Sequence, residues 1–89
     1  MEYQPGNVAR SLAGRDKGKL LIVTGIQANR ILICDGKEHP LNRPKPKNPL
    51  HLETTPYSLP DEAMRSDKAL RRALGKINQM FTASDTPGG

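Results

Sequence analysis

Along the first half of the chain apolar residues come in short runs, and along the second half they come at helical spacing. Lys19 to Ile26, KLLIVTGI, is rich in β-branched residues and too short for a typical helix, which predicts a central strand buried on both faces. Arg30 to Cys34, RILIC, predicts a second such strand, entered through a short loop at Gln27-Ala28-Asn29. Asn7 to Leu12 carries Val8 and Leu12 in a weaker alternation launched by Pro5-Gly6. Asp35-Gly36 suits a tight hairpin, because both residues tolerate positive φ, and predicts that Lys37 to Asn42 returns as a weak strand. Pro40 confines that strand to an edge or a bulge. Leu50 to Glu53 alternates and predicts a last short strand. Four or five short strands in about fifty residues cannot pack as two facing sheets, but they can close on themselves as a small, strongly bent barrel.

The period then changes. Ser66 is a good helix N-cap, and Asp67 to Met80 is made of strong helix formers. Leu70, Ala73, Leu74, Ile77 and Phe81 fall on a single apolar stripe. Gly75 weakens this helix by about 1 kcal/mol relative to Ala. Pro60-Asp61 predicts a separate short helical turn before Ser66, and Thr82 to Gly89 reads as a disordered tail. The expected organisation is a barrel over 1–55, a connector and amphipathic helix over 56–81, and a tail over 82–89.

Composition narrows the function classes. Eighty-nine residues with no Trp, one Phe and two Tyr make one small domain, marginally stable by itself and too short for separate binding and catalytic lobes. The net charge is +5, with residues 1–53 carrying +4 and the remainder +1. That imbalance favours a polyanionic partner met by the first half. A lone Cys34 cannot form an internal disulfide and alternates with Ile31 and Ile33, which predicts a buried structural thiol in a reducing compartment. Met1 to Pro5 lacks the basic start and apolar run of a signal peptide, and Leu20 to Val23 is too short to span a bilayer. The expected location is cytoplasmic, with no membrane partner.

The stretch AGRDKGKLLIV, Ala13 to Val23, poses the chemical question. A phosphate-binding loop of nucleotide hydrolases needs four residues between its glycines and a Ser or Thr after the lysine. Here three residues separate Gly14 from Gly18, and Leu20 stands where the hydroxyl must be. His39, His51 and Cys34 are spaced at five and twelve residues, match no standard zinc pattern and lack a fourth ligand. No nucleophile–base pair or carboxylate pair stands out. The sequence therefore implies no enzyme, no metal and no cofactor.

The loop, the β-rich run after it and the strand beyond resemble the KOW motif, found in a class of transcription factors and in several ribosomal proteins. The likeness extends through SLAGRDKGKLLIVTGI, RILICDGK, NRPKPKN and LHLETT to a helix such as DKALRRALGKIN. Over Tyr3 to Met80 the chain is similar to short bacterial KOW-containing RNA-binding proteins, and to the fourteenth large-subunit protein of archaeal and eukaryotic ribosomes. The resemblance implies an SH3-like barrel of about five strands followed by a C-terminal helix. It also implies a loop glycine where ordinary side chains do not fit, for which Gly18 is the candidate, with Gly14 beside it. Asp16 is then a loop organiser whose carboxylate accepts backbone N–H groups, and Arg15, Lys17 and Lys19 face RNA.

Other basic residues join the candidate set. Arg10 lies on the first strand, and Arg43, Lys45 and Lys47 lie on a proline-stiffened strut that is either a soluble linker or a track for phosphates. Arg71 and Arg72 on the helix are either solvated or an extension of the footprint. Arg30 opens its strand at the end of the sheet away from the Gly14–Lys19 loop if adjacent strands run antiparallel. The leading expectation is a non-catalytic RNA-binding module acting on ribosomal or other structured RNA by shape and phosphate contact. The alternative is a protein-interaction module of the transcription or translation machinery. Scarce aromatics argue against proline-peptide grooves and single-strand stacking platforms, and so towards folded RNA.

Overall fold

The computed structural model describes residues 3–85, with side chains through Met80. Five strands form one antiparallel sheet: β1 (Asn7–Ser11), β2 (Leu20–Gln27), β3 (Arg30–Cys34), β4 (Lys45–Lys47) and β5 (Leu52–Ser58), in the order β4-β3-β2-β1-β5. Helix α1 (Asp67–Asp85) follows, after short 3-10 turns at Pro49–His51 and Asp61–Met64. The chain is mainly β, as its pattern predicts.

The sheet must curl. Its edge strands β4 and β5 would lie about 19 Å apart if five strands were flat, at roughly 4.8 Å per spacing. Only residues 48–51 join them, and three of these are in a 3-10 turn that rises about 2 Å per residue. So short a connection holds only if the two edges approach each other, as in a small barrel. Register shifts between Val23 and Gly25 in β2, and between Asn7 and Ala9 in β1, supply local bending.

Alternation along the strands divides the core in two. Leu21 and Val23 join Tyr3, Ala9, Ile31, Ile33 and Leu52 inside the curl. Leu20 and Ile22 point the other way and pack with Val8, Cys34, Leu70, Leu74 and Ile77 beneath α1. β2 is thus buried on both faces through Val23, as expected, but Ile26 is 51% exposed near the Ala28-Asn29 turn. Ser66 caps the helix: its Oγ accepts the Ala69 N–H at 3.1 Å. Two polar contacts fix the same helix, with Asp67 Oδ1 accepting the Leu41 N–H and the Arg71 guanidinium donating to Gly36 O.

Several expected boundaries move. Lys37 to Asn42 is not a strand, because Asp35 Oδ1 accepts the N–H groups of Lys37 and His39 and folds the segment into a compact loop. The strand that pairs with β3 is instead Lys45–Lys47, within the expected strut, and as an edge strand it tolerates Pro46. Leu50 and His51 belong to the 3-10 turn, and β5 begins at Leu52 and runs past position 55 to Ser58. Residues 82–85, expected in a disordered tail, continue α1, whereas the rest of that tail and the Phe81 side chain lie outside the described residues.

Candidate nucleic-acid interface

The loop between β1 and β2 is built by its glycines. Gly14 sits at φ 81° and Gly18 at φ 88°, a left-handed region where a Cβ strains the backbone. Lys17 N–H bonds Gly14 O at 3.2 Å, Lys19 N–H bonds Asp16 O at 2.8 Å, and Gly18 N–H bonds Ser11 O at 2.8 Å. The double reversal sends neighbouring side chains in opposite directions. Asp16 is buried, at 2% exposure, while Arg15 and Lys17 are exposed and their side chains pair with no described residue.

Asp16 does organise the loop, but through side chains rather than the backbone N–H groups expected. His39 Nε2 lies 3.0 Å from Asp16 Oδ2. An ionised carboxylate only accepts, so Nε2 carries the proton that is donated. Lys19 Nζ lies 3.8 Å from Oδ1, and Lys45 and Lys47 Nζ each lie 3.9 Å from Oδ2, so these act by charge rather than by hydrogen bonding. Burial alone would raise the Asp16 carboxyl; the His39 hydrogen bond and the charges of His39, Lys47 and Lys45 outweigh it and hold it below its ordinary value.

This arrangement sorts the basic candidates. Lys47 is 8% exposed and donates to Ala13 O at 3.3 Å, so it holds the loop from within and is no outward phosphate contact. Its place two residues after Lys45 on β4 points both lysines towards Asp16, which is why the strut cannot track an outside strand with every charge. Lys19 donates to Glu38 at 2.9 Å; that bond raises the lysine and lowers the carboxyl. Arg10 pairs with Glu53 at 3.1 Å. Arg71 is engaged with Gly36 O, while Arg43 and Arg72 are exposed.

Beside the loop lies an open groove of about 480 Å³, lined in part by Gly14, Arg30, Lys45, Lys47, Asn48 and His51, with no acidic residue in its lining among the described residues. Arg30 does not sit apart from the loop as expected. That expectation treats the sheet as flat, and the curl that brings β4 to β5 also brings the start of β3 round to Gly14. Sequence reasoning missed Arg30 and His39 alike, since only tertiary folding brings them to the loop.

The remaining candidates are scattered. Cys34 is fully buried beneath α1, and burial, opposed by a hydrogen bond with Thr24, pushes its thiol up. His39 serves Asp16 and His51 lines the groove. Among the described residues no helix is long and apolar enough to cross a membrane. No family model matches the chain, and no curated protein matches it either.

Proposed function

We propose that the chain is a non-catalytic module that binds folded RNA through its phosphates, at the face made by the 12–19 loop and the adjoining groove. One observation carries this reading: the only acid of the loop is turned inward on a cationic cluster, while Arg15 and Lys17 are turned outward beside a groove lined by Arg30 and Lys45. Burying Asp16 leaves Arg15 and Lys17 outward without an acid beside them in the loop, while Lys19 is paired with the exposed Glu38. Phosphates are bound by such charges without base reading, which suits recognition by shape. The resemblance to KOW-motif proteins supports the same reading and suggests ribosomal RNA in the cytoplasm as the target.

The protein-interaction alternative has less support from the helix. Its apolar stripe, Leu70, Leu74 and Ile77, covers the chain's own sheet and is not offered to a partner.

Titrating a fluorescently labelled RNA hairpin with the wild type and with the Arg15→Glu/Lys17→Glu variant tests the proposal. The variant should remain folded and lose affinity to a similar degree for hairpins of unrelated sequence. Undiminished affinity in the folded variant would overturn it.

A further inference from the structure

Leu50 is 83% exposed, the most exposed large apolar residue among those described. It is not on a loose loop. The 3-10 turn carrying it has Pro49 in its first turn, and Asn48 Oδ1 accepts the Leu50 N–H at 2.9 Å. Asn48 O accepts the His51 N–H at 2.9 Å, and Leu52 just beyond is buried in the barrel core. The Leu12 N–H bonds His51 O at 2.8 Å, so Leu12, itself 42% exposed, is fixed next to the same turn. Two of the few exposed large apolar residues therefore come from distant segments to one rigid place. That place borders the basic groove, because Asn48 and His51 both line it.

We infer that Leu50 is an apolar wedge that packs on the face of an unpaired base in the RNA whose phosphates occupy the groove. This rests on the RNA-binding reading above. The ligand for such a site must offer negative charge and an apolar face side by side. A fully paired duplex keeps its base faces stacked on one another, whereas a bulged nucleotide exposes one next to its own phosphate. Aromatic rings usually supply the platform for such a base, and among the described residues the one ring at this place is the exposed His51 imidazole beside Leu50. Tyr3 is in the barrel core, and Tyr57 packs on the helix-side core. Leucine is among the apolar residues that wedge between base steps of DNA, so its side chain can pack on a base face.

Two labelled hairpins with one stem sequence, one fully paired and one carrying a single unpaired adenosine, test this with the full chain. Leu50→Ala should weaken binding to the bulged hairpin about fivefold to tenfold, as expected for losing a largely buried leucine contact. It should change binding to the paired hairpin less than about twofold and leave the salt dependence unaltered, since no phosphate contact is lost. Leu50→Phe should restore or exceed wild-type affinity for the bulged hairpin. Substitution at so exposed a position should leave the thermal melt unchanged. Equal losses on both hairpins, or no loss on either, as when Leu50 meets a protein instead, would overturn the wedge. If Arg15→Glu/Lys17→Glu still weakens binding in that case, the RNA reading survives without it. Absence of wild-type binding to either hairpin at low salt would overturn both.

Discussion

His39 Nε2 stands 3.0 Å from Asp16 Oδ2, joining two loops through residues 23 positions apart in the chain. Through that contact the inward-turned acid of the β1–β2 loop is tied to the loop after β3, and Lys47 brings β4 to the same carboxylate. The outward presentation of Arg15 and Lys17 depends on this inward anchor.

Removing the carboxylate should therefore destabilise the fold. Asp16→Ala strips the His39 hydrogen bond and leaves Lys47 buried without its counter-charge, for a loss of about 2–3 kcal/mol. Lys19 and Lys45 are too exposed to add much. Urea unfolding at neutral pH measures the difference, and a change below about 0.5 kcal/mol would show that the cluster is not an anchor.

The same carboxylate sets an acid limit. Its value in the folded chain is lowered from the ordinary 3.8, so its contribution to stability is fully present above that pH and disappears as pH falls through the folded value. Below about pH 5 the stability curves of the wild type and Asp16→Asn should converge as the Asp16 carboxylate is protonated. A gap that stayed constant to pH 2 would contradict the assignment.

Three glycines separate backbone strain from crowding. A Cβ at Gly14, Gly18 or Gly75 would meet nothing within 4 Å, but only Gly14 and Gly18 have positive φ. Gly18→Ala should cost about 1–2 kcal/mol from the left-handed conformation alone. Gly75→Ala should be neutral or stabilise by up to about 1 kcal/mol, since it improves helix propensity in open space. Similar effects from the two substitutions would remove the case for a loop shaped by its glycines.

The docked helix makes its own forecast. Leu70 is fully buried between α1 and the sheet, so Leu70→Ala should cost about 2–5 kcal/mol. Deleting the chain after Ser66 should expose that sheet face and promote association, readable by sedimentation. A truncated chain that stayed monomeric and equally stable would mean that α1 does not complete the core.

What the sequence disclosed follows the range of each signal. β2, β3 and the Ser66-capped helix were legible because a β-branched run, an N-cap and an apolar stripe are local features. The strand after Asp35-Gly36 was not, because two proline-bearing segments could follow and the hydrogen bonds of Asp35 decide between them. The loop glycines and the exposed Arg15 and Lys17 were expected through the resemblance of their stretch to the KOW motif, and the structure gives the glycines positive φ. The partners of Asp16 were not, because His39 and Lys47 reach it only through tertiary folding, and Arg30 enters the groove only when the sheet curls.

The central claim, that loop and groove form one phosphate-binding face, is tested most directly by the slope of log K against log salt for a duplex-like RNA hairpin. Each phosphate neutralised contributes about −0.9 to that slope. Arg30→Ala should make the wild-type slope shallower by about 0.9, and Arg15→Ala/Lys17→Ala by about twice that, with all variants folded. The three substitutions together should give the sum of the two changes. A slope unchanged by Arg30→Ala while the loop variant flattens it would contradict the joint face, leaving the loop alone as the contact.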